Sequence, residues 1–432
     1  MLSSVVGVAL LLSGSALAGI PGFRPTVEMV STAWYAGWHA TDFPLSKVSW
    51  DKYTQMTYAF ATTVDDPSKL SLEDSDKQLL PQFVSTAHQN GVKASLSLGG
   101  WTGSQFFSTN VGSAANRTKF VNAVTGIAEK YNLDGIDIDW EYPNHQGIGC
   151  NAISPNDTSN LLAFLQELRQ TPVGKDLVLS AAVSLTPFAG VNGTPSADVS
   201  GFAKVLDFIE IMDYDVWGSW STAVGPNAPL NDTCAPSPAG QQGSAVSAVK
   251  AWKAAGMPSS QIVLAVPSYG HSFSVAPSAA FGTNSTNTTT PEAQTPALVA
   301  YPAFNASNQP VGDAWDGAPA LDVCGILEGQ GGVFDFWGLI AAGFLAADGS
   351  VAPGIASRFD ACSQTAYVYN TSTHVMVSYD SAKTFAAKGA FIKDNNLRGF
   401  SIWEAGGDSD DILLDAILGA TGFFDGGFEC DE

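Results

Sequence analysis

Two periods of apolar and polar residues take turns along this chain. Short runs rich in β-branched and aromatic residues recur at 33–38, 54–61, 93–100, 134–142, 177–184, 207–215, 262–270 and 398–405. Their length and composition predict strands. Between them, stretches such as 114–131, 158–170, 244–255 and 381–395 repeat apolar positions with helical spacing. Strand and helix in alternation predict an α/β fold with parallel strands. Eight such units close into a (β/α)8 TIM barrel, with an open doubly wound sheet as the alternative.

One interval breaks the rhythm. More than a hundred residues separate the seventh strand from the helix that begins near Ser381. They open with a polar low-complexity tract at 282–296, which predicts an exposed loop. Tyr301, Trp315, Phe334, Phe336, Trp337, Tyr367 and Tyr369 follow, so the remainder is expected to fold. An insertion at the carboxyl end of a barrel strand sits on the catalytic face and can wall a groove. The expected organisation is a leader at 1–18, a barrel domain at 19–432 and the insertion at 272–379 within it.

Composition narrows the partners. Of 432 residues 45% are hydrophobic, which suffices for a large core, and the formal net charge is −22. A polyanion would be repelled, so nucleic acid is not expected, and a neutral ligand such as a sugar polymer suits the balance. An apolar run at 5–12 ends in small residues and the triplet Ala16-Leu17-Ala18, which predicts cleavage before Gly19 and a secreted, extracellular protein. No other stretch is long enough to span a membrane, and a monomer is expected. Eight Asn-x-Ser/Thr sites, at Asn116, Asn156, Asn192, Asn231, Asn284, Asn287, Asn305 and Asn370, fit a secreted glycoprotein. The expected disulfides are Cys324–Cys362 and Cys150–Cys234, leaving Cys430 odd.

The informative segment is Asp134-Gly-Ile-Asp137-Ile-Asp139-Trp-Glu141-Tyr-Pro143. Side chains alternate along a strand, so Asp137, Asp139 and Glu141 share one face and Ile136, Ile138 and Trp140 the other. In a barrel the acids then point inward, and Asp134, of opposite parity, serves the strand entrance. Three inward carboxylates contribute nothing to packing and are costly to bury. Crowding also raises a carboxyl pKa, which a general acid needs near neutrality. A divalent metal site is the other chemistry that carboxylates suit, but the remaining strand ends supply aromatics rather than further acids. No metal and no cofactor are expected.

These residues resemble the DxxDxDxE signature of glycoside hydrolase family 18, whose members include chitinases. SLGGW (Ser97–Trp101), MDYD (Met212–Asp215) and Trp403 resemble further family motifs, and the long insertion resembles the small α+β insertion of one branch. The resemblance implies a retaining, substrate-assisted cleavage of β-1,4-linked N-acetylglucosamine polymers. Glu141 would act as acid and then base, Asp139 would orient the substrate acetamido group, and Asp137 would hold or share a proton with Asp139. The implied substrate contacts are Tyr214, Asp215, Met212, Trp403, Tyr142, Gly100, Trp101, Trp220 and Tyr269, with Tyr35 and Phe60 as weaker candidates. His271 departs from the pattern, since many relatives carry Arg there. The implied partner is chitin or chito-oligosaccharides. A non-catalytic chitin-binding lectin of the same fold, or an endo-β-N-acetylglucosaminidase acting on N-glycans, would share much of this pattern.

Overall fold

The computed structural model describes residues 29–235, 237–281 and 297–423. The leader, the 282–296 tract, Asn284, Asn287 and Cys430 lie outside these ranges. Eight strands form a closed parallel barrel: Val30–Ala36, Gln55–Thr63, Lys93–Gly99, Gly135–Asp139, Val178–Val183, Phe208–Met212, Ile262–Pro267 and Gly399–Trp403. Closure runs through the first strand, which pairs with the second (Tyr35 opposite Tyr58) and with the eighth (Ser31 opposite Phe400). The (β/α)8 barrel expected from the alternation is therefore the fold.

Helices cover the outside, and their ends follow local chemistry. Ala114–Tyr131 begins where the Ser113 side chain accepts from the Asn116 backbone N–H, and it stops at Asn132 in the left-handed region. Ser244 and Ser381 form capping boxes ahead of Ala245–Ala254 and Ala382–Asp394. In the fourth strand Ile136 and Ile138 are buried against the helical layer, beside Leu96, Leu98 and Phe164. Trp140 continues that side and stacks on Phe107 at 5.1 Å between centroids.

Between the seventh and eighth strands lies an antiparallel sheet of five strands. Its order is Val333–Asp335, Tyr269–Ser274, Val375–Tyr379, Thr365–Asn370 and Ala356–Asp360. The first of these in sequence starts at Tyr269, after a single residue beyond the barrel strand. Phe273, Val275, Tyr369 and Met376 give this unit its own small core.

The disulfides correct the expected pairing. Cys150 bonds Cys324 and Cys234 bonds Cys362, with Cα separations of 5.6 and 6.2 Å. Each bridge joins a loop after a barrel strand to the insertion, where the expected pairs would have stayed within the barrel loops or within the insertion. The two units pack side by side, so partners near in space are far apart in sequence.

Candidate active site

The carboxyl ends of all eight barrel strands open onto one groove made of two contiguous cavities. The smaller, about 550 Å³, is lined by Trp34, Asp139, Ser184, Met212, Tyr214 and others. The larger, about 930 Å³, extends along the insertion past Trp220, Tyr269, His271, Trp315 and Asp335. Trp38, Trp101, Glu141, Tyr142, Asp215 and Trp403 line both. Glu141 therefore stands at the junction of the two cavities.

The acidic stripe is arranged by depth. Asp137 is fully buried: its Oδ2 accepts from Ser97 Oγ at 2.7 Å and Trp34 Nε1 at 3.4 Å, and its Oδ1 from Ser180 Oγ at 2.8 Å. Burial raises its pKa above the usual carboxylate value, and these donors offset that only in part. Asp139 is 5% exposed and lines the smaller cavity. Burial, then the charges of Glu141 and Asp137, hold it well above the usual carboxylate range. Its buried Oδ1 has no hydrogen-bond partner among the described residues, so an N–H or O–H brought by a ligand would find a free acceptor there.

Glu141 corrects the expected strand end. The ladder stops at Asp139, and Glu141 lies two residues beyond it. Side chains take over from the ladder: the Glu141 N–H donates to Ser104 Oγ at 3.0 Å, and its carbonyl accepts from Asn151 Nδ2 at 2.7 Å. The Ser104 hydroxyl donates in turn to the Gly100 carbonyl at 2.8 Å. Inward parity is kept while the side chain enters the groove. Burial first, then the Asp215 charge, raise the Glu141 pKa to about 7, against a lowering hydrogen bond from Tyr142. Near neutral pH its protonated form therefore persists.

The sixth strand and insertion complete the wall. Asp215 Oδ1 accepts from Tyr269 Oη at 2.7 Å and lies 2.7 Å from His271 Nε2. The Asp215 N–H donates to Asn227 Oδ1 at 2.9 Å, and Asn227 Nδ2 donates to the Tyr269 carbonyl at 3.1 Å. His271, the departure from the family pattern, sits edge-on to Trp220 at 5.2 Å.

Trp403 stacks on Phe60 at 5.6 Å, 23° between planes, and meets Trp34 edge-on. Trp38, Trp101 and Trp220 are 55, 45 and 61% exposed around the groove. Open indoles of this kind suit the apolar C–H faces of sugar rings. Gly100 is buried and does not line either cavity. Its φ is +75°, and a Cβ there would sit 3.0 Å from the Phe60 ring, so it secures the packing beneath Trp403.

One weaker candidate, Tyr35, lies elsewhere, and Asp134 is at the strand entrance where its parity put it. Tyr35 is core, packed on Tyr58 and Phe83 with its hydroxyl donating to the Phe43 carbonyl. Asp134 accepts from the Ala94 N–H at 2.8 Å at the strand entrance. Sequence reasoning gave no site role to Trp38, Ser97, Ser104, Asn151, Ser180, Glu210, Asn227 and Trp315. Glu210 carried a readable signal, since it shares inward parity with Met212 and Tyr214. No cluster of three or more His, Cys, Asp or Glu suited to a metal occurs among the described residues.

Residues 31–408 match Glycosyl hydrolases family 18. A chitinase-like effector of Moniliophthora roreri is 52% identical over 394 residues, covering 91% of this chain and 93% of that one. A chitinase-like effector of Moniliophthora perniciosa is 50% identical, covering 92% and 88%. The crystal structure of a chitinase (RmChi1) from Rhizomucor miehei superposes with a TM-score of 0.76 at 33% identity, covering 90% of this chain and 99% of that one. A closed barrel, an inward acidic stripe and this match across most of the length place the chain in glycosyl hydrolases family 18.

Proposed function

We propose that this protein is a secreted chitinase that cleaves β-1,4-linked N-acetylglucosamine polymers with retention, by a substrate-assisted route. The observation that carries the reading is Glu141 at the junction of the two cavities, poised near pH 7, with the unpartnered Asp139 oxygen behind it.

Glu141 gives its proton to the glycosidic oxygen as the C1–O bond breaks, and the departing sugar leaves as a free alcohol. The substrate's own acetamido oxygen bonds C1, forming an oxazolinium ion. Asp139 passes its proton to Asp137 and accepts from the acetamido N–H, so its charge stabilises the positive charge that develops there. The Tyr214 hydroxyl steadies the acetyl oxygen. Water then attacks C1 as the bond from C1 to the acetamido oxygen breaks, its proton passes to Glu141, and the second inversion leaves the configuration retained. This family is an exception to the usual pair of catalytic carboxylates. Two disulfides fit an oxidising compartment, and the leader and sequons point the same way.

A second reading, a chitin-binding protein without turnover, is favoured by the description of two relatives as chitinase-like effectors. Incubating the protein with the N-acetylglucosamine hexamer, beside an N-glycoprotein, separates the readings. The chitinase reading expects shorter oligomers with newly formed β-anomers and an intact glycoprotein. Tight binding without products would establish the second reading, and released glycans would redirect the assignment to N-glycans.

A further inference from the structure

One more carboxyl lies inside the barrel, below the groove. Glu210 is on the sixth strand, 1% exposed, where alternation sends it inward with Met212 while Ile209 and Ile211 pack outward. Its neighbours are Asp137 from the fourth strand, Ser180 from the fifth and Ser401 from the eighth, with Tyr214 above on its own chain segment. The Ser180 hydroxyl is already committed to Asp137 at 2.8 Å. Neither Glu210 oxygen receives an aligned hydrogen bond among the described residues, and the Ser401 hydroxyl makes none.

An ionised carboxylate in that position would face Asp137 with only the Ser180 and Ser401 hydroxyls nearby, too little to offset burial and the Asp137 charge. Glu210 therefore keeps its proton, and Asp137 lies within reach to accept it. Ser97, Ser180 and Trp34 already donate to Asp137. We propose that Glu210 is a positioning residue: as a neutral carboxyl it donates a hydrogen bond to Asp137 and holds Asp137 as the anion against which Asp139 is set. The inference rests on the catalytic reading above for its effect on turnover. The Glu210 proton stays on Glu210, and no bond to substrate forms there.

Two variants separate donation from packing. Glu210→Gln keeps a donor, whereas Glu210→Met keeps the bulk and loses it. With the N-acetylglucosamine hexamer, Glu210→Gln is expected to retain kcat and the acidic limb of the kcat/KM profile. Glu210→Met is expected to lose roughly ten- to hundredfold in kcat, the range of one charge-assisted hydrogen bond. Its acidic limb should also move to higher pH, because an Asp137 deprived of a donor takes up a proton more readily. A Met variant with the wild-type acidic limb, or a Gln variant displaced as far as Met, would overturn the proposal.

An infrared comparison of wild type and Glu210→Gln at pH 9 needs neither turnover nor the Met variant. It should show one protonated-carboxyl band that the Gln variant lacks, and the absence of that band would equally overturn it. Failure of wild type to cleave the hexamer would count against the chitinase reading alone, since the band is read without substrate.

Discussion

Glu141 differs from a surface glutamate in what surrounds it: burial and the Asp215 charge raise its pKa to about 7, and Tyr142 pulls the other way. Removing the Asp215 charge makes ionisation of Glu141 easier. For Asp215→Asn the alkaline limb of kcat/KM is therefore expected to move to lower pH, and an unmoved or rising limb in a pH–rate series would contradict this. Asp139→Asn should lower kcat by about 10²-fold or more, the scale of one preorganised transition-state contact, with a smaller effect on KM. Steady-state kinetics on a chito-oligosaccharide checks both. Much of this site was legible in the sequence, because strand parity alone puts Asp137, Asp139 and Glu141 on one face. Ser97, Ser104 and Ser180 were not, since a small hydroxyl on a strand or turn has no distinctive spacing. They are recognisable only once neighbouring strands bring them to Asp137 and the Glu141 backbone.

At the scale of elements, the eight barrel strands could be read because each is a compact apolar run bounded by turn residues. The helices at Asp76–Gln89 and Ile412–Thr421 were harder. The first carries Pro81 within its opening turns, and the second is too apolar throughout to show a clear polar face. Cysteine pairing could not be read because contact between barrel loops and insertion depends on tertiary packing. The Cys150–Cys324 bridge adjoins Asn151, whose side chain holds the Glu141 carbonyl. Cys324→Ser is thus expected to lose about 2–4 kcal/mol of stability and to reduce kcat. Thermal unfolding and kinetics test this together; lowered stability with unchanged kcat would show that Asn151 is held without the bridge.

For the whole molecule, several buried acids share one consequence. Asp213 is raised to about 8 and Asp408 to about 6, in both cases chiefly by burial, and Glu141 to about 7. Such groups bind more protons folded than unfolded between their ordinary carboxylate pKa and the raised one. The stability they contribute is complete below pH 4 and is lost as pH rises through 6 to 8. The net charge of −22 adds self-repulsion in the same direction. Tm is therefore expected to be higher at pH 5 than at pH 8, with part of the slope removed in Asp213→Asn; a Tm that climbs toward pH 8 would contradict this. The barrel itself was legible from the alternation of strand and helix. The shape of the groove was not, because Trp315 and Asp335 reach it only through the fold of the insertion.

The central claim is that Glu141 supplies the proton. Glu141→Gln keeps the shape of the side chain and removes its acid, so the comparison of hexamer cleavage and hexamer binding in wild type and variant tests it most directly. The expected result is a loss of at least about 10²-fold in kcat, with hexamer affinity by calorimetry within a few-fold of wild type. Substantial residual turnover by Glu141→Gln would contradict the account.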